Sequence, residues 1–466
     1  MTKQPRIGLV PFYIKLYDDL MPARRVGFEG FAARLAAGLE TRGIGVETAP
    51  VCRVAAEFAA AVAGLEAAGV DALVTLHLAY SPSLEALDPF RASDLPLILL
   101  DTTMDAAFGP DVKADRIMTN HGVHGVMDFA CMLRRHKRPF EIVAGHDSDP
   151  RLLDRVADLA RAAVAAREFQ GTHALRVGPA FDGMGDFAVA PNLLEARFGI
   201  RVETCAIEAL DAAVEAVPDA DVVAEAAADR ERFACEIDAA DHRRSVRVGL
   251  GLRRLLEAGG YGAMSVNFQL FDGCDRPACT MPFLEISKAM ARGIGYGGEG
   301  DVLTAALVGA LTRAFGAVTF TEIFCADWSG GTLFLSHMGE ISPAVLAGRP
   351  RVFAKPFFVP GVPTPAVLTG PVKPGPAVFV NLAPGPDDTF SLIVAPVEVL
   401  AEDDRLDPAM RDAIRAWIRP RCPVAAFLEA YSRAGGTHHS ALVLGDVAEA
   451  IAAFGRLNGL EIVELG

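Results

Sequence analysis

The chain opens with short apolar runs set between stretches of helical periodicity. Apolar segments at 6–11, 45–51, 72–76, 95–100 and 141–144 predict strands, and the spacing over 26–42 and 54–68 predicts helices between them. Strands alternating with helices in this way predict a parallel α/β domain. A helical pattern over 150–169, followed by Gly171 and Thr172, marks a boundary, and a second α/β unit follows with strands at 174–177, 201–205 and 263–267. The tract at 220–258 reads as one long helical region of mixed charge, the pattern of a solvated face or a subunit contact. Beyond Phe315 helical periodicity fades. Val-, Phe- and Leu-rich runs broken by Pro and Gly across 318–400 predict an antiparallel sheet or barrel, with late helices at 408–417 and 424–434. The expected fold is therefore two Rossmann-like parallel α/β domains, 1–169 and 170–315, followed by a β-rich, antiparallel barrel-like C-terminal domain, 316–466.

Composition narrows the class of partner. The 466 residues are 51% hydrophobic, enough for a large core, and 59 acidic against 44 basic residues give a net charge of -15. Such a balance disfavours nucleic acid and anionic membrane. The N-terminal run is interrupted by Lys15, Asp18 and Asp19, so no signal segment is expected, and no apolar run reaches spanning length. The eight cysteines are scattered, and even Cys274 and Cys279 are too far apart for a C-x-x-C clip. Free thiols and a cytoplasmic location are the expectation.

The candidate chemistry concentrates between residues 293 and 340. Glu299 stands among glycines ahead of a helical pattern, Glu322 inside a β-like run, and His337 beside Ser336 and Met338 after a Gly-Gly turn. Carboxylate and imidazole together suit a divalent ion of intermediate hardness such as Mn²⁺. Gly293, Gly295 and Gly298 satisfy G-x-G-x-x-G, but the preceding 282–293 has helical spacing, so the strand that a dinucleotide turn requires is absent. These glycines are expected to let the backbone bend and hold Glu299 inward. Near the C-terminus, His438 and His439 follow Gly435, Gly436 and Thr437; adjacent side chains diverge, so one is available as a further ligand. In TNHGVHG, 119–125, Thr119 or Asn120 reads as a helix cap, with Gly122 easing the turn and His121 and His124 sharing a face. In FDGMGD, Asp182 and Asp186 read as turn carboxylates and Met184 as pocket wall or core.

These segments together resemble the L-arabinose isomerase family, within the wider group that includes the L-fucose isomerases. The likeness rests on GYGGEGD with Glu299, the β run with Glu322, SHMGEISP with His337 and AGGTHH with His439, in the family's order and close to its spacing. It implies a three-domain fold and an aldose-ketose isomerase using Mn²⁺ held by Glu299, Glu322, His337 and His439, the two glutamates also forming the acid/base pair. It further implies a sugar pocket touched by Leu16, Met184, Phe271 (or Phe268) and His438, with His121 offered to a neighbouring subunit in a trimer or hexamer. One departure stands out. Where the family has Gln-His-Leu-Tyr-Gly, this chain has Ile14, Lys15, Leu16, Tyr17 and Asp18, so a glutamine that contacts the sugar is missing. Losing a polar group that pairs with a hydroxyl alters sugar preference without touching the chemistry. An isomerase of another aldose or sugar derivative is therefore the alternative, and a non-catalytic sugar-binding protein, needing no stoichiometric metal, the second.

Overall fold

The computed structural model describes residues 2–271, 275–403 and 405–466; Cys274 lies outside them. The chain forms two compact units, one of Lys3–Arg167 with Ala453–Gly459, the other of Glu168–Ala452 with Leu460–Gly466.

In the first unit, five strands, β1 (Arg6–Phe12), β2 (Gly45–Thr48), β3 (Ala72–His77), β4 (Leu97–Asp101) and β5 (Glu141–Ala144), pair in parallel in the order β2-β1-β3-β4-β5. The central β3 is buried at every position, as expected of a parallel strand covered on both faces. The expected capping of the helix Val123–Arg135 by Thr119 or Asn120 does not occur: Gly122 takes the cap position, and Asn120 instead exchanges hydrogen bonds with Asp105. Glycine is needed there because a Cβ at Gly122 would lie 2.1 Å from the His77 carbonyl oxygen.

The second unit begins with another parallel sheet. Its strands β6 (His173–Val177), β7 (Arg201–Cys205), β9 (Ala263–Val266) and β10 (Gly295–Gly298) run in the order β10-β9-β6-β7. A short β8 (Ala234–Glu236) interrupts the tract expected to be one helical region, separating helices Asp219–Arg232 and Ala239–Gly259. It belongs to a small sheet with β13 (Arg351–Ala354) and β14 (Ala366–Thr369). Nor is that tract only a solvated face. Asp229 and His242 are fully buried, and Glu225, Asp229 and Arg253 enter an ionic cluster with Glu285 and Lys288.

The remaining strands form the expected barrel. β15 (Gly375–Pro384), β18 (His439–Leu444), β11 (Val318–Asp327), β12 (Thr332–Ser336), β17 (Ala416–Pro420) and β16 (Phe390–Val399) pair antiparallel in that order, and β16 pairs back to β15 to close the ring. β19 (Glu461–Glu464) adds to β16 in parallel. The helix expected over 408–417 is a correction. Pro408 opens only a short 3₁₀ turn, Pro408–Asp412, and Ala-Trp-Ile-Arg-Pro then alternates buried and open positions as β17. Among the described residues, no helix is long and apolar enough to cross a membrane.

Candidate metal centre

Barrel register brings the first groups together. Glu322 on β11 lies opposite Ser336 on β12 and opposite His439 on β18, and His337 follows directly where β12 ends. The Glu322 Oε1 atom is consequently 3.0 Å from His337 Nε2 and 3.2 Å from His439 Nε2.

Glu299 arrives from the second parallel sheet. It follows β10 in the left-handed region, at φ 61°, a conformation that costs a non-glycine residue about 1–2 kcal/mol. Ser265 on β9 holds the turn: its Oγ donates to the Gly297 carbonyl at 2.6 Å and accepts from Gly300 N at 2.8 Å. Strain maintained by such contacts is characteristic of functional sites. Glu299 Oε2 lies 3.7 Å from Nε2 of both His438 and His439. The glycines of this segment form a strand as well as its turn. A Cβ at Gly295 would lie 1.9 Å from the Ala305 carbonyl and one at Gly297 2.2 Å from that of Asp301, so only bare backbone packs this closely on the helix Val302–Phe315. At Gly298 a Cβ would stand 3.2 Å from His439 Nε2 and 3.3 Å from His337 Cε1, narrowing the space between the imidazoles.

Two carboxylates that were not singled out as site residues in the sequence orient the imidazoles. His337 Nδ1 is 2.7 Å from Glu340 Oε1, whose other oxygen accepts from Gly339 N at 2.7 Å. His439 Nδ1 is 3.0 Å from Asp301 Oδ2, while Asp301 Oδ1 caps the helix by accepting from Thr304 N. Engaging each Nδ1 leaves each Nε2 aimed at Glu322, the arrangement by which outer carboxylates fix metal-binding histidines. Phe187 stacks on His439 at 4.7 Å and 9°, and the Phe320 ring lies edge-on to both imidazoles at 4.8 and 5.0 Å. A position three after His337 for Glu340, and the cap position for Asp301, are the signals that could have found them.

The electrostatics are those of a centre that wants positive charge. Burial raises the Glu322 pKa, but the facing imidazoles of His337 and His439 outweigh it and hold the carboxyl at about 2. Burial opposes a charge on His337, yet Glu340 and Glu322 push it up to about 10; His439 is raised against burial by Asp301 and Glu322. Nε2 of His439 is buried without a hydrogen-bond partner, and the ligand atoms of Glu322, His337 and His439 lie within 4.8 Å of one another, as do those of Glu299, His438 and His439. An open buried nitrogen and a mixed N/O donor set fit a divalent ion bound in place of protons.

The other predicted residues are distributed unevenly. His438 Nδ1 lies 2.6 Å from Asp186 Oδ2, which also accepts from His438 N at 2.9 Å, so FDGMGD contributes Asp186 beside the centre. Burial disfavours a charge on His438, but Glu299 and Asp186 push it up to about 9. Met184 is half-buried in the same loop. Phe271 is fully buried, whereas Phe268 keeps part of its ring open, 5.5 Å from Phe181. Leu16 and His121 belong to the first unit: Leu16 is exposed, and His121 Nε2 is 3.1 Å from Tyr17 Oη.

Comparison with known proteins covers most of the chain. Residues 34–171 match the L-arabinose isomerase N-terminal domain, 182–315 its central domain and 317–461 its C-terminal domain. An L-arabinose isomerase of Nocardioides sp. is 31% identical over 401 residues, 82% of this chain and 78% of that protein. Those of Acidothermus cellulolyticus (29%, 82% and 78%) and Klebsiella pneumoniae subsp. pneumoniae (28%, 84% and 79%) are similar. A sugar-binding protein of Agrobacterium vitis bound with α-D-tagatopyranose aligns over 67% of this chain and 89% of its own at 13% identity, but a TM-score of 0.16 carries no weight. The class these matches define is the aldose-ketose isomerases, intramolecular oxidoreductases. The chain belongs to the L-arabinose isomerase family.

Proposed function

We propose that this protein interconverts an aldose and its ketose, with Glu299, Glu322, His337 and His439 holding a divalent cation such as Mn²⁺ and the two glutamates moving the protons. The observation that carries this reading is the convergence of two carboxylates and two Nδ1-anchored imidazoles around the unpartnered His439 Nε2. Bound there, the cation would supply Lewis acidity toward the sugar oxygens. The reaction shifts one proton between C1 and C2 and another between O1 and O2. One glutamate takes the carbon-bound proton and returns it to the neighbouring carbon; the other exchanges the hydroxyl proton. His337 and His439 stay neutral ligands, their Nδ1 protons held by Glu340 and Asp301. His438, fixed by Asp186 at the open edge of the centre, is placed to donate to a sugar hydroxyl.

The sugar is a separate matter. L-Arabinose is the substrate named for the relatives, and Ile14 here replaces a polar contact of the family, so a different aldose is the second reading. The remaining assignments follow the family: Leu16 and His121 serve a sugar pocket completed in a trimer or hexamer, and Met184 lines it. Phe271, being fully buried, can act only behind that wall, and Phe268 is the better placed ring. The test is a Mn²⁺-supplemented isomerisation screen over aldopentoses, aldohexoses and 6-deoxyaldohexoses, with an EDTA-treated control for each. Chelator-sensitive ketose formation is the expected result; no turnover of any sugar by metal-loaded protein would overturn the isomerase reading.

A further inference from the structure

A chain of phenylalanines runs from one ligand-bearing turn to the other. Phe181 N donates to the Glu299 carbonyl at 2.8 Å, and the Phe181 ring packs on Phe268 at 5.5 Å. Phe268 in turn meets Phe358 at 5.3 Å and Phe357 at 6.3 Å, and Phe357 meets Phe283 at 5.7 Å. The Phe283 ring presses on Gly339, where a Cβ would lie 2.6 Å from it, two residues beyond His337. Lys355 closes the same end by donating from Nζ to the Met338 carbonyl at 2.7 Å.

Folding alone does not account for this arc. Phe181, Phe268 and Phe357 are only half-buried and Phe358 is 57% exposed, whereas Phe12, Phe58, Phe90, Phe129 and Phe379 are fully buried in the core. The segment presenting Phe357 and Phe358 is stiff: Pro356, Pro360, Pro363 and Pro365 restrict it. Thr280 Oγ1 donates to the Pro363 carbonyl at 2.6 Å, and Lys355 N to that of Pro365 at 3.1 Å. A rigid aromatic surface beside a polar reaction centre is suited to the C–H face of a sugar. Phenylalanine offers no hydrogen bond, however. A hydroxyl set against these rings would be desolvated without a partner, and a phosphate would also meet the carboxylates of the centre.

Resting on the isomerase reading above, we propose that the arc Phe181–Phe268–Phe358–Phe357 receives the end of the sugar remote from the reacting carbons. It selects a neutral sugar whose far end is a methyl group, a 6-deoxyaldohexose, over the matching aldohexose, aldopentose or sugar phosphate.

The experiment uses the full-length, Mn²⁺-loaded protein in two parallel measurements. The first is kcat/KM for aldohexoses, their 6-deoxy counterparts of the same configuration, the corresponding pentoses and the 6-phosphates. The second is calorimetric binding of the corresponding alditols, which cannot isomerise. The 6-deoxy member is expected to be favoured by about 10- to 100-fold in both, the range an apolar pocket achieves. Phe358→Ala, at an exposed position, and Phe268→Ala should each reduce that preference to about threefold or less, with the circular dichroism spectrum unchanged. Equal or reversed preference in the native protein, or a preference that survives in both variants, overturns the assignment. Selective alditol binding without turnover of any aldose would sustain the arc and overturn the isomerase reading; neither binding nor turnover would overturn both.

Discussion

Two buried polar clusters lie in the second unit, and they balance their charge differently. In the cluster on helices Asp219–Arg232, Ala239–Gly259 and Phe283–Ala291, the carboxylates of Glu225, Asp229 and Glu285 meet Arg253, Lys288 and Arg292. Three negative groups face three permanent positive ones. At the candidate metal centre, the ion-pair partners of Glu299, Glu322, Glu340 and Asp301 are imidazoles, and among the described residues none of the four is ion-paired to Arg or Lys. Charges removed from water must be paired. The first cluster achieves this with its own permanent charges, as a structural element does; the second sets its carboxylates against titratable imidazoles, the pairing that the proposed cation would complete.

The sharpest way to break the contrast is to remove one carboxylate from the centre. Glu322→Gln and Glu299→Gln each keep the shape and delete a ligand charge together with a proton acceptor. Turnover of the best sugar should fall by at least about 10³-fold, within the range for lost acid/base catalysis, while the thermal unfolding profile of the chelated protein keeps its form. Steady-state kinetics reads the first and calorimetry the second; more than a tenth of native activity in either variant would remove that glutamate from the proton-transfer step. In the other cluster the effect should fall on stability. Lys288→Met leaves the fully buried Asp229 with only the His242 imidazole, 3.2 Å away, and should cost about 3–5 kcal/mol in urea unfolding while leaving metal binding unchanged.

Smaller changes test how the imidazoles are held. Glu340→Gln or Asp301→Asn leaves all four proposed ligands in place but loosens the carboxylate grip on His337 or His439. Mn²⁺ affinity, by isothermal titration, should weaken about 10- to 100-fold. Native affinity in both variants would reduce these carboxylates to packing.

The two clusters were unequally legible in the sequence. Glu299, Glu322, His337 and His439 stood out because each interrupts a local pattern: a carboxylate among glycines, another in a β run, histidines after glycine turns. The ion-pair cluster did not stand out, since Glu225, Asp229, Arg253 and Lys288 sit on helices whose charge spacing is also that of a wet surface, and only packing against Glu285 reveals the buried side. The same ambiguity hid β10, because Gly-Tyr-Gly-Gly lacks the side chains that mark strands and is a strand only through its pairing with β9 and its close approach to a helix. The helix expected at 408–417 failed for the converse reason: the sheet neighbours of β17, on β12 and β16, lie far off in sequence. Periodicity reports a local preference, and these segments were decided by distant partners.

The least effect expected, and the one that separates the clusters by pH, concerns Glu225. Burial raises its pKa, but the hydrogen bond from Arg253 and the charge of Lys288 prevail and hold it at about 2, below the ordinary value of 4.5. A carboxyl depressed in the folded state contributes stability that is complete above the unfolded value and is lost as pH falls through the folded one. The contribution from Glu225 should therefore be constant above about pH 4.5 and decline between there and about pH 2. Glu225→Gln removes this component, so the difference in unfolding free energy between native protein and variant should shrink across that window and stay level from pH 5 to 8. Manganese saturation or EDTA should leave the difference untouched, because the ionic cluster draws its positive charge from arginine and lysine rather than from a bound ion. If chelation altered it, the two clusters would be coupled, and the division between a self-balanced scaffold and a cation-dependent site would not hold.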